Sequence, residues 1–571
     1  MKFMRSLKIR KEFVFIIPFI VALTVRGAAL WFRSDSPFPF YNYIVGLDMN
    51  TLLHIGSWLY NGFSLFTLYK FTIAATMYFN GGQPMPEAIV VIQMLMGIGI
   101  TLLVTWCALA LTGKKSWALA SGLLAALYAP GLMYESFILK ETYMTFFSLL
   151  ALAGLIWARK KHFSPSASYT VGLLLALPCM CRVSASIFCV LGAAWVLWCY
   201  FNRFGGLQDK RWRIKMSIVT ACLAGGIATL LVPVSIFNYY NTGKSELRPF
   251  HINMKYAVSV GKANNAQSMS VEPSEFPYES PKLGTDTNVI GTVTSANFLL
   301  GFAKKVPLVF SSTEIPNNLN YYYLKDLLFP LKYMIGPMFL IPLALISLIL
   351  LLITGGVFRK NSILMIFIIS FIIPICLFYP LARYRIIFYP VFCMLAPLPC
   401  FFILNNLQRN KLKIFILLTI AAGVIVLMPV SPKEKVRPVD LITYGKAVEL
   451  KELSPGKSLS LYQDAWQMAP QSKTAIACYI SAILKSGRPV QAARIIMPNL
   501  QKNPNNSAYL YYGALTILFC QQTEETEKIF KALNHENPGS FRKHYFNYWG
   551  QSTTPLPTTI GTLALEPARA N

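Results

Sequence analysis

Residues 88–133 read AIVVIQMLMGIGITLLVTWCALALTGKKSWALASGLLAALYAPGLM. The 25 residues from 88 to 112 carry no charge, Lys114 and Lys115 interrupt, and a second apolar run follows from 117 to 133. At about 1.5 Å of rise per residue, the first run as a helix spans a hydrocarbon layer roughly 30 Å thick. In such a layer every backbone N–H and C=O must be satisfied within the segment, so each run is expected to be helical.

Working outward, similar runs lie at 13–32, 142–158, 169–181, 183–201, 216–236, 334–354, 362–381, 384–404 and 412–430. With the two quoted above they make about eleven spans, and the stretch 63–79 is a further candidate to dip into the membrane. The composition agrees: 55% of the 571 residues are hydrophobic and 13% charged, about half the charged fraction usual in soluble domains. The expected fold is an all-α polytopic membrane protein.

The net charge of +28 does not point to nucleic acid, because Lys and Arg sit mainly in short stretches between apolar runs. Placing the N-terminus, with Lys2, Arg5, Lys8, Arg10 and Lys11, in the cytoplasm puts Lys114-Lys115, Arg159-Lys160-Lys161, the 203–215 cluster, Arg359-Lys360 and Arg409, Lys411 and Lys413 on that side. That places 20 basic residues inside, against Lys140, Arg182, Arg383 and Arg385 in the short outer turns, the asymmetry that orients membrane proteins. The start is too basic, and its apolar run too long, for an ordinary cleaved signal, so a retained first span is expected. The five His are scattered and the eleven Cys form no CxxC, so neither a zinc cluster nor a redox pair is visible.

This orientation leaves three larger pieces outside: 33–87, 237–333 and everything after about 431. In the last, Pro470, Pro504 and Pro538 are spaced 34 apart, the length of a tetratricopeptide repeat with proline near its close. Tyr462, Ala465, Ala492, Ala514 and Phe530 fill some of the expected positions. A transmembrane domain over 1–430, helical repeats over 431–540 and a tail over 541–571 follow; an irregular helical tail with coincident prolines is the plainer alternative.

Ionisable side chains are expensive in a bilayer, so those kept at its outer edge have a partner or a task. Asp48, in VGLDMNTLLHIGSWLYNG, could accept a proton from an attacking hydroxyl or simply cap the helix that follows. Glu135 and Glu141 flank the turn between the third and fourth spans, where they could line one cavity with Asp48; Glu141 equally suits a helix N-terminus. Arg182, Arg383 and Arg385 oppose the orientation rule, and a fixed guanidinium fork suits a phosphate or a lipid headgroup. The 237–333 segment is rich in Asn, Tyr and Pro, residues that hold sugar hydroxyls but also form turns.

Together these stretches resemble the GT-C membrane glycosyltransferases, in particular the dolichyl-phosphate-mannose protein mannosyltransferase-like group (glycosyltransferase family 39 and its bacterial relatives). The resemblance covers roughly 13–404 and rests on Leu47-Asp48, Leu68-Tyr69, LLAALYAPGLMYE at 123–135, GLLLALPCMCR at 172–182, Asn238-Tyr239 with Gly243, Gly261 and Asn264, EIPNN at Glu314 to Asn318, and ARYR at 382–385. It implies transfer of a sugar from a polyprenyl-phosphate donor to a protein, lipid or glycan acceptor outside the cytoplasm, with inversion. Asp48 would be the acidic residue central to catalysis, with Glu135 or, less well, Glu141 as a second acidic residue; Arg383 and Arg385, with Lys304 and Arg182, would face the donor phosphate. Asn238, Tyr239, Asn264, Glu314, Asn317 and Asn318 would bind substrate. Asp48 with Glu135 could hold a divalent metal, although no closed ligand set is visible. The chain departs from relatives at Met49, Thr67, Lys70, Phe237 and Ile387. A lipid-linked-sugar transporter or flippase, and a non-catalytic scaffold presenting the repeats to a protein partner, are the alternatives.

Overall fold

The computed structural model of the chain describes residues 10, 12–44, 47–60, 67–204, 211–242, 296–353, 362–377, 380–406, 416–421, 423–424, 436–452 and 456–502, with 509, 512, 513 and 516. Among these residues the secondary structure is helical, with one isolated bridge between Tyr128 and Ile335. They fall into two compact units, one within residues 1–435 and one from Val436 onward.

The first unit opens with α1 (Phe13–Ser34), then α2 (Asp48–Tyr60), α3 (Leu68–Phe79), α4 (Pro86–Thr112), α5 (Lys115–Ala126), α6 (Ala129–Glu135), α7 (Glu141–Lys160), α8 (Pro165–Cys181), α9 (Ser186–Phe204) and α10 (Arg211–Thr242). After residue 295 come α11 (Ala296–Val309), α12 (Tyr321–Leu327), α13 (Pro337–Ile353), α14 (Ser362–Leu377) and the single turn α15 (Ala382–Arg385), followed by α16 (Tyr389–Leu395) and α17 (Leu398–Asn406). Among the described residues, six helical stretches are long and apolar enough to cross a membrane: Phe13–Ser34, Pro86–Thr112, Glu141–Lys160, Val183–Asn202, Trp212–Tyr240 and Ala382–Ile403. Pro165–Cys181, Pro337–Ile353 and Ser362–Leu377 are shorter apolar helices. The run at 412–430 lies mostly outside the described residues.

One apolar run is not a single helix. The run at 117–133 stops at Ala126, passes through an extended Tyr128 and resumes at Ala129. Pro130 at the new N-terminus has no N–H to continue the ladder. The freed backbone groups are recovered from elsewhere: Ala129 N–H donates to the Ile335 carbonyl at 2.9 Å, and Ile335 N–H donates to Leu127 at 2.9 Å. Its polar groups are paired inside protein, the condition under which a membrane helix tolerates a break.

Helices α8 and α10 cross in close contact. A Cβ on Gly172 would lie 2.2 Å from the Leu223 carbonyl oxygen, and one on Gly226 would lie 2.1 Å from that of Tyr169. Only glycine permits this approach, the small-residue packing that helices use where lipid supplies no hydrophobic drive. The Tyr169 and Thr229 hydroxyls meet at 3.0 Å beside it.

The second unit begins with Pro438–Glu452, Leu459–Met468, Lys473–Lys485 and Pro489–Lys502 in succession. Tyr462, Ile476, Tyr479, Ile480, Ile483, Ala492 and Ile496 form its core. Glu449 accepts from the Tyr462 hydroxyl at 2.9 Å and pairs with Lys485 at 3.2 Å, tying the first helix to the next two. Gly487, with φ of 70°, closes the third helix where a side chain would strain the turn. Tyr462, Ala465 and Ala492 are buried; Pro504, Ala514, Phe530 and Pro538 lie outside the described residues.

Candidate functional site

Leu47 and Met49 are both buried and seat the start of α2, leaving Asp48 between them at the helix N-terminus. Its carboxylate forms an ion pair with Arg383, and the acid is the more open partner: the Asp48 side chain is 46% exposed, that of Arg383 16%. A carboxylate in the first helical turn is favoured, and its ion partner comes from a turn far along the chain.

Arg383 is held on several sides. The turn that carries it is tied to the EIPNN segment by Ala382 N–H donating to the Ile315 carbonyl at 3.0 Å. With its amide oxygen facing the guanidinium, Asn317 accepts from Arg383 Nε at 3.2 Å and from Nη1 at 3.3 Å. The Tyr384 hydroxyl accepts from Nη2 at 2.5 Å. The Tyr384 ring also carries two cations, with the Arg182 guanidinium 4.0 Å and the Arg383 guanidinium 4.7 Å from its centroid, an attraction of cation to ring face.

Two lysines join this group. Lys140, at the N-cap of α7, is held below the usual lysine range by burial, reinforced by the charges of Arg182 and Arg383, while Glu141 and Tyr384 oppose the shift. Lys70, in the first turn of α3, is pushed down to about 8 by burial and by Lys140. Lys140 thus interacts with Arg182, Arg383 and Lys70, with Glu141 beside it and Asp48 paired to Arg383. Like charges so gathered disfavour one another's ionised forms, and an anionic ligand relieves that repulsion. The sequence marked Arg182 and Arg383; Lys140 was visible only as an exception to the charge asymmetry and Lys70 only as a departure from the family pattern.

Arg385 is engaged differently, although it stands two residues from Arg383. It is buried and donates to the carbonyls of Leu308 at 2.6 Å, Ser311 at 3.0 Å and Thr313 at 2.7 Å, and to Glu314 Oε2 at 2.9 Å. Arg385 and Glu314 therefore lock the 308–314 segment, which leads into Asn317. Asn318 lies beside that segment with a buried Nδ2 that has no hydrogen-bond partner among the described residues.

Glu135 is likewise committed elsewhere. Arg26 of α1 meets it through Nη2 to Oε1 at 2.8 Å and Nε to Oε2 at 2.8 Å, both side chains buried. Gln93 of α4 donates to the Glu135 carbonyl at 3.0 Å and to Phe137 at 2.6 Å, and accepts from the Tyr69 hydroxyl at 3.0 Å. Arg33 Nε donates to the Ser136 carbonyl at 2.9 Å. The turn after α6 is thus clamped from α1 and α4. Asp48 and Glu135 have different arginine partners, and among the described residues no group of three or more His, Cys, Asp and Glu could hold a metal.

Glu141 starts α7, buried, with Oε2 lacking a hydrogen-bond partner among the described residues. It acts electrostatically on Lys140, Tyr69 and Tyr134. Asn238 is buried near the end of α10, Tyr239 is exposed, and Lys304 is exposed on α11. Gly243, Gly261 and Asn264 lie outside the described residues. Compared with protein-family models, curated proteins and solved structures, the chain finds no match in any of the three.

Proposed function

We propose that this chain is a membrane glycosyltransferase of GT-C type, moving a sugar from a polyprenyl-phosphate carrier to a protein, lipid or glycan acceptor on the non-cytoplasmic face. The observation that carries the reading is the ion pair of Asp48 with Arg383, with Arg182 over the same Tyr384 ring and Lys140 interacting with both arginines. One accessible carboxylate beside several fixed cations is what displacement at a phosphate-linked anomeric carbon requires. The order of motifs along 13–404 supports the same reading.

The reaction is a single in-line displacement with inversion. The acceptor hydroxyl oxygen attacks the anomeric carbon, and its proton passes to Asp48. The carbon–oxygen bond to phosphate breaks, its electron pair leaving with the polyprenyl phosphate, whose charge Arg383, Arg182 and Lys140 stabilise. Arg385 and Glu314 act by fixing the segment that presents Asn317 to Arg383.

In this reading about eleven spans cross the membrane with the N-terminus in the cytoplasm. The carrier's hydrocarbon tail lies between helices, which is why the sugar transfer occurs in a membrane protein. The helices from Val436 onward are tetratricopeptide-like repeats outside, available to an acceptor or partner protein. The test compares lipid-linked and protein-linked glycans in cells with and without the chain. Loss of one glycan with accumulation of its lipid-linked precursor is expected; unchanged glycans of both kinds would refute the reading. A lipid-linked sugar trapped on the cytoplasmic face would point to a flippase instead.

A further inference from the structure

We infer that the donor's phosphate and Asp48 compete for the same guanidinium, so that donor binding releases the carboxylate for the acceptor and the donor binds first. This rests on the proposed function and specifies how its site is switched on.

Asp48 Oδ2 sits on Nη1 of Arg383. The other edges of that guanidinium are already engaged, Nε and part of Nη1 by Asn317 and Nη2 by Tyr384. The acid is the more exposed member of the pair and the guanidinium the more enclosed one. An anion approaching Arg383 therefore meets it along the edge that Asp48 occupies.

Two anions cannot share that edge without repulsion. A phosphate has other cations to draw on, because Arg182 lies over Tyr384 and Lys140 feels both arginines; Asp48, at a helix start, pairs with Arg383. The phosphate prevails by the number of charges it reaches. Once off Nη1, the Asp48 carboxylate has an oxygen available to a hydroxyl.

The experiment uses the full chain in lipid nanodiscs with farnesyl monophosphate as probe, measuring its dissociation constant by calorimetry. D48N should bind the probe about threefold to tenfold more tightly than the wild type, the range of a partly exposed charge pair removed together with a like-charge repulsion. D48A, which cannot keep a hydrogen bond to Arg383, should show the same gain. The gain should vanish on an R383Q background, because the competition needs the guanidinium. Equal or weaker probe binding by D48N and D48A, with binding still weakened by R182A, would overturn the competition and leave the phosphate site standing. Probe binding insensitive to R182A, K140A and R383Q alike would remove the phosphate site, and the competition with it.

Discussion

Asp48 and Arg383, 335 positions apart in the chain, form an ion pair between the start of one short helix and the turn that opens another. The pair is asymmetric, with the arginine fixed by Asn317 and Tyr384 and the acid left accessible. Arg26 with Glu135 and Arg385 with Glu314, by contrast, are buried on both sides.

Arg182 reaches the site through the Tyr384 ring, so its removal should weaken donor binding more than chemistry. R182A should raise the apparent KM for a polyprenyl-phosphate sugar about tenfold to a hundredfold, the loss of one charge-assisted contact of roughly 1.5–3 kcal/mol. Steady-state transfer assays at varied donor concentration measure this, with kcat changing less than KM.

Lys70 gives the site a pH dependence. Its ionisation lies near 8 in the folded chain, below the ordinary lysine value. It is therefore charged below about 8 and neutral above, so donor affinity should fall as pH rises through that value. The same depression means that the folded state disfavours the lysine's charge. That penalty applies below about 8 and fades as pH rises toward the unfolded value of 10.5. K70M should flatten the affinity profile in that window.

The Arg26–Glu135 pair should matter for stability. R26L alone leaves a buried carboxylate unpaired and should cost about 3–5 kcal/mol, and E135L alone should do the same. The double replacement should recover most of the loss, because the uncompensated charge is gone. Thermal unfolding in detergent, read as a double-mutant cycle, measures the coupling.

Much of the helical fold could be read from apolar runs, because a bilayer permits few other backbones. The break at Tyr128 could not: Pro130 signals an interruption, but the partner that rescues its backbone, Ile335, is more than 200 residues away. The site was half visible. ARYR places two arginines two residues apart, and residues at that spacing do not share a helix face. Which of them turns to Asp48 and which to Glu314 depends on segments that only folding brings together. Glu135 looked like a companion of Asp48 because both stood at span edges; its partner Arg26 was hidden inside the first apolar run.

The glycine contact between α8 and α10 should tolerate no side chain. G172V places atoms where the Leu223 carbonyl stands, so the helices must separate. A loss of about 1–3 kcal/mol or more is expected for such overpacking. A lower midpoint of thermal unfolding would register it, while G225A, which meets only the Tyr169 ring at 3.9 Å, should be nearly neutral.

The role assigned to Asp48 is tested most directly by sugar transfer in membranes supplied with a polyprenyl-phosphate-linked donor. D48N, folded and still binding donor, should transfer about a hundredfold to ten-thousandfold more slowly than the wild type. Transfer by D48N at the wild-type rate would contradict it.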